Sequence, residues 1–232
     1  MTIGMVFLTL LMAVIVGWLL RHTVNVQPWG PEAPTDAAPR AELALPAARA
    51  GLWVFLGVAS SLFVLFVSAY AMRLGFADWS PIPRPRLLQL NTVLLAAASL
   101  AMAACVRAAR RGDEAALRRG LLAAGVLTTA FLAGQLVVWK QLHEADYFAT
   151  RSAAAAFFYL FTAVHGLHVA GGLVAWARTL YRAGRARGTR EGRLAVELCA
   201  TYWHYLLAVW LVLYALLVSE DLGLAICSTT PL

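Results

Sequence analysis

The chain has 232 residues, of which 61% are hydrophobic and only 13% charged, with a mean hydropathy of +0.71. One soluble core of this length cannot hide that much apolar surface, so an ordinary soluble enzyme or binding module is excluded. The net charge of +7 reads as basic residues marking cytoplasmic loops of a membrane protein, not as a nucleic-acid surface.

The apolar residues fall into blocks of about 20, the length that crosses about 30 Å of hydrocarbon as a helix. Peptide groups in hydrocarbon have no water to bond, so the blocks are read as helices. The expected architecture is all-α and integral to the membrane, with six transmembrane helices. In chain order the expected spans are 3–20, 52–73, 88–108, 120–139, 154–177 and 194–219. No basic stretch precedes the first block, which is therefore expected to be a retained helix and not a cleaved signal. The organisation is an N-terminal helix (1–27), a linker (28–50) and a five-helix bundle (51–232). The linker holds Pro28, Pro31, Pro34, Pro39 and Pro46; it is expected either as an extended strap on the cytoplasmic surface or as a plain connector. After the second span, "DWSPIPRPR" places prolines at alternate positions, which stops a helix.

Orientation follows from the basic residues. With odd-numbered loops on one side, that side holds 14 of the 19, concentrated between Arg107 and Arg119 and between Arg178 and Arg193. The other side holds Arg73, Arg84, Arg86, Lys140 and Arg151. Positive charge on the inside then puts the larger group in the cytoplasm and both termini in the periplasm of a bacterial inner membrane.

Polar groups within apolar spans cost energy there and so mark interior surfaces. They are Asn91, Gln135, His165, His168, Glu197 and His204, with Trp139 and Trp203 nearby. Glu197 and His204 stand two turns apart on one face, and His165 and His168 share a side of their span. Three uses compete: ligands to a haem or metal, a proton path, or hydrogen bonds between helices. The histidines are too few for a two-haem protein, and the last five spans offer a single acid. Cys105, Cys199 and Cys227 lack the spacing of a metal cluster or of covalent haem attachment. Gly166, Gly171 and Gly172 let neighbouring backbones approach. Neither an inverted repeat nor a phosphate-binding loop is visible, which disfavours a transporter or pump.

Read together, the motifs resemble subunit III of the haem–copper cytochrome c oxidases. The fifth span, "FFYLFTAVHGLHVAGG", is similar to that family's His-Gly-Leu-His element, and "YWHYLLAVWLVLY" to its Tyr-Trp-His run with Trp210 six residues after the histidine. Glu197 precedes that run as in the family. "LLQLNTVLLAAAS" resembles the Leu-Asn-Thr element that follows a proline-rich turn, here "WSPIPRPR". "GQLVVWKQLHEADYF" carries Gln135, Trp139 and Phe148 at family-like spacings, and "GLWVFLGVASSLFVLFVSAY" resembles the helix that ends at tyrosine. Two departures matter: Ala59 stands where many members have a membrane-embedded Glu, and Leu207 where an Asp is frequent. Many members also have seven helices; on this reading the family's first is missing.

The resemblance implies a subunit without chemistry of its own. Haem and copper are expected in partner subunits I and II, which pass electrons from cytochrome c to oxygen. This chain is expected to stabilise subunit I, to hold phospholipid and to support sustained proton-coupled turnover. It implies packing or interface roles for Asn91, Gln135, His165, Gly166, His168, Gly172, Glu197, Trp203, His204 and Trp210. A lipid cleft is expected near Trp53, Phe55, Ala59 and Tyr70. No catalytic, metal or cofactor residue is expected in the chain itself, and no nucleic acid among its partners. A quinol-oxidase subunit or a protein associated with nitric oxide reductase remains an alternative.

Overall fold

A computed structural model describes residues 38–74, 76, 79, 82, 85–150, 152–183 and 189–219. The expected helix over 3–20 lies outside them. Five helices follow in order: α1 (Ala38–Arg73), α2 (Leu87–Arg111), α3 (Glu114–Glu144), α4 (Ala153–Ala183) and α5 (Arg190–Ser219). Each is long and apolar enough to cross a membrane. The contacts described below lie within the unit Glu42–Leu232.

The helix ends follow local chemistry. Gly112 takes φ 72°, a left-handed conformation open to a residue without Cβ, and its N–H turns back to the carbonyls of Ala108 and Ala109. Asp113 follows at once as N-cap of α3, its carboxylate accepting from the Ala116 N–H at 2.9 Å. A turn this short forces α2 and α3 to run antiparallel side by side. Ser152 and Thr189 start α4 and α5 in the same way, accepting from the N–H groups of Ala155 and Gly192. The α1 backbone is helical from Ala38 onward, which differs from the unstructured stretch expected up to residue 50. The segment is rich in alanine and leucine, and Pro39 falls in the first turn, where its missing N–H costs nothing.

Helices α2, α3, α4 and α5 form a closed ring in which α2 approaches α3 and α5, and α4 approaches α3 and α5. Small residues permit this. A Cβ on Gly134 would strike the Asn91 side chain, one on Gly125 the Trp176 indole, one on Gly120 the Cys105 thiol and one on Gly172 the Tyr202 ring. Helix α1 stands apart: among the described residues, no Cα of it comes within 8 Å of another helix. Only 17% of its apolar window is buried, against 33–39% in the other four.

Candidate functional site

Four tryptophans join the ring, three of them through threonines, and the sequence explains how. Thr92, Thr128 and Thr162 each donate a hydroxyl proton to the carbonyl four residues back, at 2.7–2.9 Å. Each hydroxyl oxygen thereby turns its lone pairs outward and accepts an indole N–H from another helix, all at 3.0 Å. The pairs are Trp210 with Thr92, Trp203 with Thr128, and Trp139 with Thr162. Trp176 donates to the Leu121 carbonyl at 2.8 Å. An indole N–H left without a partner in hydrocarbon is expensive, so these bonds fix which helix faces meet.

The histidines separate into three environments. His165 is buried, with Nε2 donating to the Leu206 carbonyl at 3.0 Å across the α4–α5 seam. Because the carbonyl can only accept, Nε2 carries the proton and Nδ1 is an acceptor. Its ring lies 5.1 Å from Trp210 and 5.8 Å from Phe131. His168 donates from Nδ1 to the Val164 carbonyl at 2.8 Å and lies beside Phe55 and Phe63 of α1. His204 is exposed on the outer face of α5, with Nδ1 on Ser99 of α2. Tyr202 donates to the His168 carbonyl at 2.9 Å and packs against Gly172, while a Cβ on Gly166 would touch Leu132 at 3.8 Å.

Glu197 is not a deep, isolated acid. It sits near the N-terminal end of α5 with its side chain 31% exposed, and pairs with Arg110 at 3.2 Å and Arg49 at 3.4 Å. The residue thus ties three helices, α5, α2 and α1, at one end of the bundle. Asn91 and Gln135 are buried in the ring, and neither amide has a hydrogen-bond partner among the described residues.

Between α1 and the α4–α5 seam lies a cavity of about 620 Å³, apolar apart from Arg178, Thr179, His168 and Tyr202. Of the four residues expected at a lipid cleft, Phe55 lines it. Trp53 turns outward, 65% exposed, whereas Ala59 and Tyr70 are buried. Tyr70 joins a second aromatic group with Trp79, Phe157 and Phe161 at ring distances of 5.2–5.7 Å.

Sequence reasoning missed the threonines. Their signal was present, a mid-span hydroxyl at the depth of a tryptophan on another span, but pairing depths need the helix neighbours. No group of three or more His, Cys, Asp or Glu among the described residues is placed to hold a metal ion.

The ring of apolar helices, joined by its indole hydrogen bonds, defines a multi-pass membrane protein. The comparisons give the family. The profile of cytochrome c oxidase subunit III matches residues 51–219. A probable cytochrome c oxidase subunit 3 of Mycobacterium tuberculosis is 33% identical over 165 residues, covering 68% of this chain and 78% of the relative. Cytochrome c oxidase subunit 3 of Synechocystis is 31% identical over 172 residues, with 72% of each chain covered. A Nocardia farcinica relative of the same description is 33% identical over 159 residues, 67% of this chain and 77% of its own. The chain belongs to the cytochrome c oxidase subunit III family.

Proposed function

We propose that this chain is a non-catalytic core subunit of an aerobic respiratory cytochrome c oxidase in a bacterial inner membrane, docked on subunit I. The observation that carries the docking is His204. It is exposed near the middle of a 30-residue apolar helix, with Nδ1 on Ser99 and no described partner at Nε2. A polar ring nitrogen facing lipid at that depth is costly, and a protein neighbour removes the cost. Subunit I, which holds haem and copper together with subunit II, is that neighbour. Electrons from cytochrome c reach those subunits without passing through this chain, and both of its termini face the periplasm.

The same reading gives the cavity beside α1 a phospholipid. Its apolar wall suits acyl chains, and the Arg178 guanidinium lining it suits a phosphate head group. Holding lipid between α1 and the ring lets the subunit support turnover mechanically. Ala59 offers no proton to move, so proton uptake proceeds without an acid at that position of α1.

Purification through a tag on this chain tests the assignment. Two larger membrane subunits with haem bands in a reduced-minus-oxidised spectrum are expected. His204→Ala is expected to lower the yield of those partners while the spectrum of the complex that survives stays unchanged. A colourless protein recovered alone from wild-type membranes overturns the reading, and haem b on the isolated chain would make the histidines ligands.

A further inference from the structure

The inside of the ring contains polar atoms that the helices themselves do not satisfy. Five buried side-chain atoms have no protein partner among the described residues: both amide atoms of Asn91, both of Gln135, and Nδ1 of His165. The three residues are 0%, 5% and 1% exposed. They come from three helices, yet their contacts put them in one layer about a helical turn deep. Gly134 lies against Asn91, and Gln135 is its neighbour along α3. Phe131, one turn away on α3, lies 5.8 Å from His165 and 5.1 Å from Trp210. Trp210 in turn bonds Thr92, the residue after Asn91.

Orphaned polar atoms are rare in folded proteins, and five in one layer require a common explanation. Each indole N–H of the ring is bonded, so the layer stands out within the ring's interior. The chemistry of the set identifies the occupant. The two amides supply N–H donors and carbonyl acceptors, and His165 adds an acceptor because its Nε2 holds the proton. Interchanging amide oxygen and nitrogen leaves the set the same. One imidazole nitrogen and two neutral amide oxygens make a poor ligand set for a metal or monovalent cation, and either ion would leave both NH₂ groups without an acceptor. Water donates two hydrogen bonds and accepts two, and so matches a mixed set.

We propose that Asn91, Gln135 and His165 form a sealed hydration site, in which bound water links α2, α3 and α4 within the bilayer. Mixed donors and acceptors on three helices are joined by water where direct bonds do not reach.

A map of the intact oxidase complex at a resolution that shows ordered water tests this directly. A solvent peak within about 3 Å of amide atoms of both Asn91 and Gln135 is the expected result. An Asn91 amide bonded directly to the Gln135 amide, with no peak between them, overturns the proposal. So does a peak that gains scattering when the complex is prepared in rubidium salts, since that occupant is a cation. Gln135→Leu is expected to abolish the peak while the subunit stays in the complex; a peak unmoved in that variant also overturns it. If the variant does not assemble, the wild-type map still decides.

Discussion

The four-helix ring and α1 are built from similar apolar sequence, yet they hold on by different means. In the ring, glycines bring backbones together and indole–threonine bonds fix the faces that meet. Helix α1 keeps its backbone away and reaches across with long side chains at three levels. Arg49 meets Glu197 at one end, Ser60 meets the Tyr205 hydroxyl at 3.1 Å in the middle, and Tyr70 packs edge-on to Phe157 and tilted against Phe161 at the other. In lipid, apolar surface gives no preference for protein over acyl chain, so close packing and hydrogen bonds decide attachment. The ring has both and α1 has little of the first. That difference leaves room for a cavity beside α1.

The sharpest way to break the contrast is to attack the ring. Trp203 is fully buried, and Trp203→Ala removes its whole side chain and the bond to Thr128. A loss of about 3–5 kcal/mol is expected, read as a lower denaturant midpoint for loss of this subunit from the purified complex. Trp203→Phe separates the two contributions. It keeps most of the volume and loses the hydrogen bond, so the cost is expected to fall to about 1–2 kcal/mol. Equal losses for the two variants would mean that the indole bond, not packing, holds the seam.

The spans were legible in the sequence, but the setting apart of α1 was not, since residues 51–232 were expected as one five-helix bundle. The five spans from residue 52 onward were readable because hydrocarbon thickness sets helix length, and no tertiary partner is needed to see that. The short α2–α3 turn at Gly112 and Asp113 went unread in the sequence. Gly172 was marked as a close-packing residue, and the Tyr202 ring now explains it. Glu197 was misjudged by depth: an acid seven residues into a 30-residue helix lies near its end, where arginines of two other helices reach it. The threonines stayed hidden because a mid-helix hydroxyl has a local partner, the carbonyl four residues back. Only the neighbouring indole reveals its second role. Trp53 and Phe55 are two residues apart on α1, but one turns outward and the other lines the cavity; periodicity fixes their relative angle, not the direction of the ring.

Attacking α1 sharpens the same comparison with smaller effects. Ser60→Ala removes the hydroxyl contact to Tyr205 in a part-buried position. Single hydrogen bonds between membrane helices average about 0.6 kcal/mol, and a loss of that order is expected. The proper readout is local: faster protease cleavage or cysteine labelling along α1, with the ring unaffected. A loss matching Trp203→Ala would show that α1 is integral to the ring's stability, and the division drawn above would fail.

The smallest effect is expected from Glu197→Gln. Arg49 and Arg110 are 60% and 68% exposed and Glu197 31%, so water screens both pairs. Exposed ion pairs contribute about 0–1 kcal/mol each and weaken as salt shortens the screening length. The glutamine retains a hydrogen-bonding oxygen for one arginine, which reduces the loss further. The expected signature is therefore salt dependence more than magnitude. Wild-type complex should retain α1 slightly better than the variant at low ionic strength, and the two should converge at about 1 M salt. Helix α1 is tied at that end by charge and further along by Ser60 and Tyr70, so the variant should loosen that end alone. A loss that persists at high salt would mean that Glu197 is shielded from water in the assembled complex, with a partner subunit covering the pair.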